Sequence, residues 1–198
     1  MPWQPSGSSD DDFVARLIAG DEPTWAALYQ DHAGRIAGYA RSKGVADPDD
    51  LVGDVFAAAA ERIDQFEGDA GRLRSWLFTI AHHRLADDLR RRRRRATDPT
   101  APSDLESLSS ATDLLGDADD RLDASGALGL LDLVTPDQRD VVVLRILGEL
   151  SIAETAEVVG KPPGAVKALQ HRAIARIQRE LDGGPYRNPL SDDDGGDV

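Results

Sequence analysis

The chain reads as all-α: two small helical domains joined by a flexible linker, the second containing a helix-turn-helix. Three observations lead there. Apolar residues recur at three- and four-residue spacing through two long regions, the period of an amphipathic helix. Aromatics make up only 5% of the 198 residues, and strand-type alternation is hard to find. Between the two periodic regions, from Thr97 to about Asp117, lies a run rich in Pro, Ser, Thr, Asp and Ala with little periodicity, as expected of a linker.

Taken in order, Met1 to Ser9 is rich in Pro, Ser and Gly, and residues 1–11 are expected to be disordered. Phe13, Val14, Leu17 and Ile18 give a short helix that Gly20 ends. Asp21 caps the next, whose Trp25, Leu28, Tyr29, His32, Ile36 and Ala40 share a face before Gly44. Trp25 and Tyr29 are expected in the core, and His32 as a packed or half-exposed histidine rather than a ligand. Asp47-Pro48-Asp49-Asp50 is a helix start, with Asp47 as N-cap, Pro48 in the first position and acids in the first turn. Leu51, Val52, Val55, Phe56, Ala59, Ile63 and Phe66 continue that helix toward Gly68. A polar loop is expected over Glu67 to Arg72. A further helix then carries Trp76, Leu77, Ile80, Ala81, Leu85 and Leu89 on one side and ends in six arginines, Arg90 to Arg95. These helices make a first domain over 12–95, enough for one modest core.

After the linker, 96–117, a second domain runs over 118–182. Leu122, Leu128, Leu130, Leu131 and Leu133 precede Thr135-Pro136-Asp137-Gln138, a capping box with Pro in the first helical position. Val142, Val143, Ile146 and Leu147 are the expected apolar stripe of that helix. Ser151-Ile152-Ala153-Glu154 is a second capping box, opening a short helix that Gly160 ends. Past Lys161-Pro162-Pro163, a long helix carries Val166, Leu169, Ala173, Ile177 and Leu181 on one face. At 100° per residue the opposite face holds Lys167, Ala168, His171, Arg172 and Arg179. A short helix, a tight turn and a longer helix with basic residues outward form a helix-turn-helix pattern. Residues 183–198 read as an acidic disordered tail.

Charge and composition narrow the function. There is no cysteine, which excludes disulfides and cysteine-based zinc sites. No run approaches the ~18 apolar residues of a membrane span, and the N-terminus lacks a signal peptide's apolar core, so membrane insertion is not expected and a cytoplasmic location is. The net charge of −13 argues against strong unaided DNA binding. Its distribution points elsewhere: Arg72 to Arg95 holds nine Arg against two Asp, and Lys161 to Arg179 five basic residues and no acid. Basic islands in an acidic chain suit a protein delivered to DNA by something larger. Asp47, Asp49, Asp50 and Asp54 with His82 and His83 could be drawn as a metal cluster, but the helix start accounts for the first three more simply. No Gly-rich phosphate loop, nucleophile elbow or His-Glu metal motif appears. Neither catalysis nor a cofactor is expected.

The string Asp49-Asp50-Leu51-Val52-Gly53-Asp54-Val55-Phe56, then Ser75-Trp76-Leu77-Phe78-Thr79-Ile80-Ala81, then the arginine run, resembles region 2 of the extracytoplasmic-function (group IV) sigma factors of the sigma-70 family. Pro136-Asp137-Gln138-Arg139, Leu144-Arg145, Gly164-Ala165-Val166-Lys167 and His171-Arg172-Ala173 resemble region 4 of the same family. The resemblance implies a sigma factor that binds core RNA polymerase and directs promoter-specific initiation. Asp49, Asp50, Asp54, Val55 and Phe56 would then meet the clamp helices of the β′ subunit. Arg72, Arg74, Trp76, His82, His83, Arg84, Arg90 and Arg91 would read and open the minus-10 element. Lys167, Ala168, His171, Arg172 and Arg179 would serve the minus-35 element, with the second domain also on the β flap. An anti-sigma factor is the further partner implied.

The chain departs from the family pattern at two places. His83, after His82, stands where relatives commonly carry an Asn beside the flipped-out promoter base. Leu169-Gln170 stands where an Arg-Leu pair is usual, which removes a basic residue from the recognition helix. The competing reading is a stand-alone dimeric helix-turn-helix regulator. It would leave the acids from Asp49 to Asp54 without a role.

Overall fold

The computed structural model describes residues 8–96 and 129–183 of the chain, and the side-chain surroundings of 12–91 and 129–181. The expected linker (apart from Ala96), the start of the second domain and the acidic tail beyond Gly183 lie outside the described residues, as do residues 1–7. The described residues hold the seven α-helices named below, a helical end over 129–131, one 3-10 turn and no strand. They are α1 (Ser8–Ile18), α2 (Glu22–Ser42), α3 (Pro48–Ala60), the 3-10 turn Ile63–Gln65, α4 (Ala70–Ala96), α5 (Pro136–Ile146), α6 (Ile152–Val159) and α7 (Pro163–Gly183).

The helix starts follow from their caps. Asp47 accepts a hydrogen bond from the Asp50 backbone N–H at 3.1 Å, and Asp21 from that of Thr24 at 3.0 Å. Both capping boxes close: Gln138 N–H donates to Thr135 Oγ1 and Thr135 N–H to Gln138 Oε1, and the same reciprocal pair joins Ser151 and Glu154. Each cap of this kind stabilises its helix by roughly 0.5–2 kcal/mol. Gly160 stops α6 in the left-handed conformation, φ 65°, which a residue with a Cβ adopts only at a cost.

Several boundaries differ from the sequence reading. Helix α1 begins at Ser8, so residues 8–11 are helical rather than part of a disordered end. Helix α3 stops at Ala60, and Ile63–Gln65 forms a separate 3-10 turn instead of prolonging it to Gly68. The polar loop is shorter than expected, because Asp69 accepts from the Arg72 N–H at 3.1 Å and starts α4 at Ala70. Arg72 and Arg74 are therefore helical.

The first domain packs α1 to α4 around Leu17, Ile36, Tyr39, Val55, Phe78, Leu73, Leu77 and Leu85, none more than 1% exposed. That core does not end at the first domain. Val143 and Leu144 of α5, Leu150, and Val158 of α6 belong to the same apolar cluster. Two smaller clusters, Val134-Val142-Ala173 and Val141-Ala156-Val166, hold α5, α6 and α7 together. Helix α5 is thus buried on more than one side, and Val141 to Leu144 are all buried in succession. The expected stripe is corrected accordingly: Ile146 is 67% exposed, Leu147 is exposed, and Val141 and Leu144 take their places inside. Tyr29, expected in the core, is 47% exposed beside the half-buried ring of Phe56 at 4.8 Å between centroids. Trp25 is half-buried, its Nε1–H donating to Leu17 O at 3.0 Å, and His32 is packed inside.

Candidate nucleic-acid interface

Three surfaces carry the residues singled out in the sequence. On α3, Asp49, Asp50 and Asp54 are exposed and Phe56 is half-buried against Tyr29. Val55 is a correction: it is fully buried and points into the core, one helical turn from Val52 and Ala59, so it presents nothing to a docked partner. The α3 surface is thus three carboxylates flanking an aromatic pair, suited to a basic partner with an apolar contact.

Helix α4 carries the second set, and here the structure adds what periodicity could not. Arg72 pairs with Glu157 of α6 at 3.2 Å, and Arg74 with Glu149 at 3.0 Å. Trp76 is half-buried against Phe66, centroids 5.0 Å apart. His82 Nδ1 lies 2.7 Å from the Tyr39 hydroxyl, which also donates to Asp140 Oδ1 at 3.0 Å. Burial pushes the His82 imidazole below its ordinary value and, with the Asp140 carboxylate beside it, pushes the Tyr39 hydroxyl well above its own. His83, Arg84, Arg90 and Arg91 are exposed, Arg90 pairing with Asp87 at 2.7 Å and Arg91 with Asp88 at 3.9 Å on their own helix.

The third surface is α7. Lys167, Ala168, His171, Arg172 and Arg179 are all exposed, while Val166 and Ala173 are buried and Leu169 and Ile177 half-buried on the other side. The Nε–H groups of Arg172 and Arg179 donate to carbonyls one turn back, Ala168 O and Ala175 O, both at 3.1 Å. Helices α6 and α7, turned at Gly160, form the helix-turn-helix, with Lys161 tied to Asp137 of α5 at 2.9 Å. Among the described residues the basic face of α7 is exposed from Lys167 to Arg179.

Sequence reasoning missed the residues that join the two domains. Asp140 is buried in α5, accepting from Tyr39 and paired with Lys43. Glu149 meets Arg35 at 2.9 Å as well as Arg74, and hydrogen bonding from Arg35 holds its carboxyl below the usual range. Arg139 Nη1–H donates to Ser42 O at 3.0 Å. One signal was available: Asp140 shares a helical face with Val143 and Leu144, and a carboxylate on an apolar face needs a buried partner. Nothing in the sequence marks Glu149 or Glu157. Among the described residues no group of three or more His, Asp or Glu stands together as a metal site, and no helix is long and apolar enough to cross a membrane.

The chain matches the family model for sigma-70 region 2 over residues 28–95 and that for sigma-70 region 4 over residues 127–177. It is 33% identical over 187 residues to the ECF RNA polymerase sigma factor BldN of Streptomyces coelicolor, covering 90% of this chain and 69% of that one. The solved structure of CnrH in complex with the cytosolic domain of CnrY superposes with a TM-score of 0.63 at 27% identity, over 88% of this chain and 98% of CnrH. Sigma factor RpoE of Bartonella quintana, solved with the anti-sigma factor NepR, shares the fold with a TM-score of 0.65 at 24% identity, over 80% and 96% of the two chains. With both regions in order on one polypeptide, the chain belongs to the ECF RNA polymerase sigma factors of the sigma-70 family.

Proposed function

We propose that this sigma factor divides its work among the three surfaces described above. The exposed carboxylates Asp49, Asp50 and Asp54 of α3, with Phe56 and its neighbour Tyr29, dock on the clamp helices of β′. Helix α4, with Arg72, Arg74, Trp76, His82, His83, Arg84, Arg90 and Arg91, reads and opens the minus-10 element. Helix α7 enters the major groove of the minus-35 element through Lys167, His171 and Arg172, with Ala168 against the groove and Arg179 on the phosphates, while the second domain rests on the β flap. The observation that carries this reading is the pairing of an acidic face on α3 with an open basic face on α7, in a chain that carries regions 2 and 4. An anti-sigma factor is the regulatory partner this reading expects, as RpoE was solved with one.

Docking on polymerase supplies what the chain lacks alone, since a net charge of −13 opposes free binding to phosphates. The test is co-purification with core polymerase. Reversing charge at Asp50 and Asp54 together, Asp50→Lys with Asp54→Lys, is expected to abolish association while leaving helicity unchanged, because both side chains are exposed. Undiminished association would remove α3 from the docking surface. Nanomolar, salt-resistant operator binding by the chain alone would favour the stand-alone regulator instead.

A further inference from the structure

Between α1, α2 and the start of α4 lies a cavity of about 150 Å3 that the three surfaces above leave unused. Phe13, Leu28, Ala70 and Leu73 give it apolar walls, and the exposed residues Ala27 and Asp31 border its mouth. His32 supplies the remaining side. The polar groups here are all of one kind. His32 is buried, and its Nδ1–H donates to Leu28 O at 3.0 Å, which leaves Nε2 as an acceptor. Burial pushes this imidazole below its ordinary value and so keeps the ring neutral. Among the described residues no donor meets that second nitrogen. Asp31 adds a carboxylate, 3.4 Å from the His32 Nδ1. No lining side chain offers a donor in return, since the one N–H of His32 is used on Leu28. The cavity therefore fits an apolar ring that carries one N–H and no acceptor. A space of this size between apolar side chains takes an aromatic ring, and a buried indole needs a partner for its N–H.

The residues that precede α1 carry such a group. Met1 to Gly7 holds one aromatic side chain, Trp3, between Pro2 and Pro5. We propose that the Trp3 indole seats in this cavity, its ring against Phe13, Leu28 and Leu73 and its Nε1–H donating to His32 Nε2. Reach allows it. The peptide steps from Trp3 to Ser8, where α1 begins, span up to roughly 17 Å. Phe13 lies only about 7.5 Å along the helix from Ser8. Pro2 and Pro5 fix φ on either side of Trp3, so less chain entropy opposes the seating. A tethered ring also outcompetes a free one, because a short linker holds it at millimolar effective concentration. The seated ring ties α1 and α2 to the first turn of α4 through Ala70 and Leu73. This seat is independent of the surfaces assigned to polymerase and promoter.

The full chain has three tryptophans, and subtracting the emission of Trp3→Ala from that of the unsubstituted chain isolates Trp3. Its emission is expected at the short wavelength of a buried indole, with acrylamide quenching about three-fold weaker than that of N-acetyltryptophanamide. Ala27→Phe puts a ring into the same space from an exposed position of α2, where the fold is not at risk. Read by the same subtraction in that background, Trp3 should return to solvent and its quenching rise about three-fold. Trp3→Ala should also lower the Tm by a few degrees, and indole added to this variant should restore most of the loss. Quenching of Trp3 like that of the free compound would overturn the seating. Protection that Ala27→Phe leaves unchanged would overturn it as well, because the ring would then be buried elsewhere. So would an equal rise in Tm when indole is added to the unsubstituted chain, which would mark the cavity as open to an outside ligand.

Discussion

Helices α4 and α7 are both basic, yet they differ in what their charges touch. On α4, Arg72 and Arg74 are bound to acids of the other domain and His82 to a buried tyrosine. On α7, Lys167, His171 and Arg172 are exposed, and Arg172 and Arg179 donate to carbonyls of their own helix. Like charge does not mean like availability. A basic island in a sequence is a candidate surface, and the domain packed against it decides whether it is open.

The contrast can be broken most strongly at Leu150, which is fully buried in the shared core beside the strained turn. Leu150→Ala is expected to cost ~2–5 kcal/mol in thermal or denaturant unfolding, since truncation of a buried leucine leaves a cavity. It should also release Arg74 while leaving the open face of α7 unchanged. Amide exchange would show loosening confined to 146–151 and the facing turns of α2 and α4. Loosening of α7 to the same degree would mean that the two faces are not independently held.

A smaller effect is expected at the cap of α6, the helix that presents Glu157. Ser151→Ala removes the acceptor for the Glu154 N–H and should lower stability by ~0.5–2 kcal/mol. Arg72 should become more reactive toward guanidinium-modifying reagents in this variant, and Arg172 should not.

The smallest effect expected is that of pH. Burial depresses the imidazoles of both His32 and His82 below their ordinary value of 6.5. Between the depressed and ordinary values the unfolded chain binds more protons than the folded one, so stability rises with pH there. The contribution is fully present above about pH 6.5 and is lost as pH falls through the folded values. The Tm is expected to fall by a few degrees between pH 7.5 and 5.5, and His82→Gln to reduce that fall. Glu149, held below its ordinary 4.5, acts only in more acid solution. A Tm that rises on acidification over this window would contradict the burial of both rings.

Much of the fold was legible because its signals are local. Asp47, Thr135 and Ser151 announce their helices through side chains that cap within three residues, and Gly160 announces a stop that needs left-handed backbone. The outward face of α7 follows from period alone. Other features depend on long-range packing and leave no local mark. Val55 is not one of them: it shares the apolar period of Val52 and Ala59 and is buried with them, and only the family resemblance set it among the docking residues. Val141 to Leu144 are buried together only because α5 sits between the first domain and α7, which no single helical stripe encodes. Glu149 and Glu157 look like solvated acids until Arg74 and Arg72 are placed against them.

The central claim is that α7 reads the minus-35 element, and a promoter-library transcription assay with core polymerase tests it most directly. Lys167→Ala, His171→Ala and Arg172→Ala would each be compared with the unsubstituted chain on randomised minus-35 sequences. A base-reading side chain is expected to change the preferred sequence, with ~1–3 kcal/mol of discrimination lost at one position. A phosphate-contacting one should weaken all promoters alike and reduce the salt slope by about one. Loss of either kind with core-enzyme binding intact is the predicted result. Transcription from a minus-35-dependent promoter at the unsubstituted level by all three variants would contradict it and leave the face of α7 merely solvated.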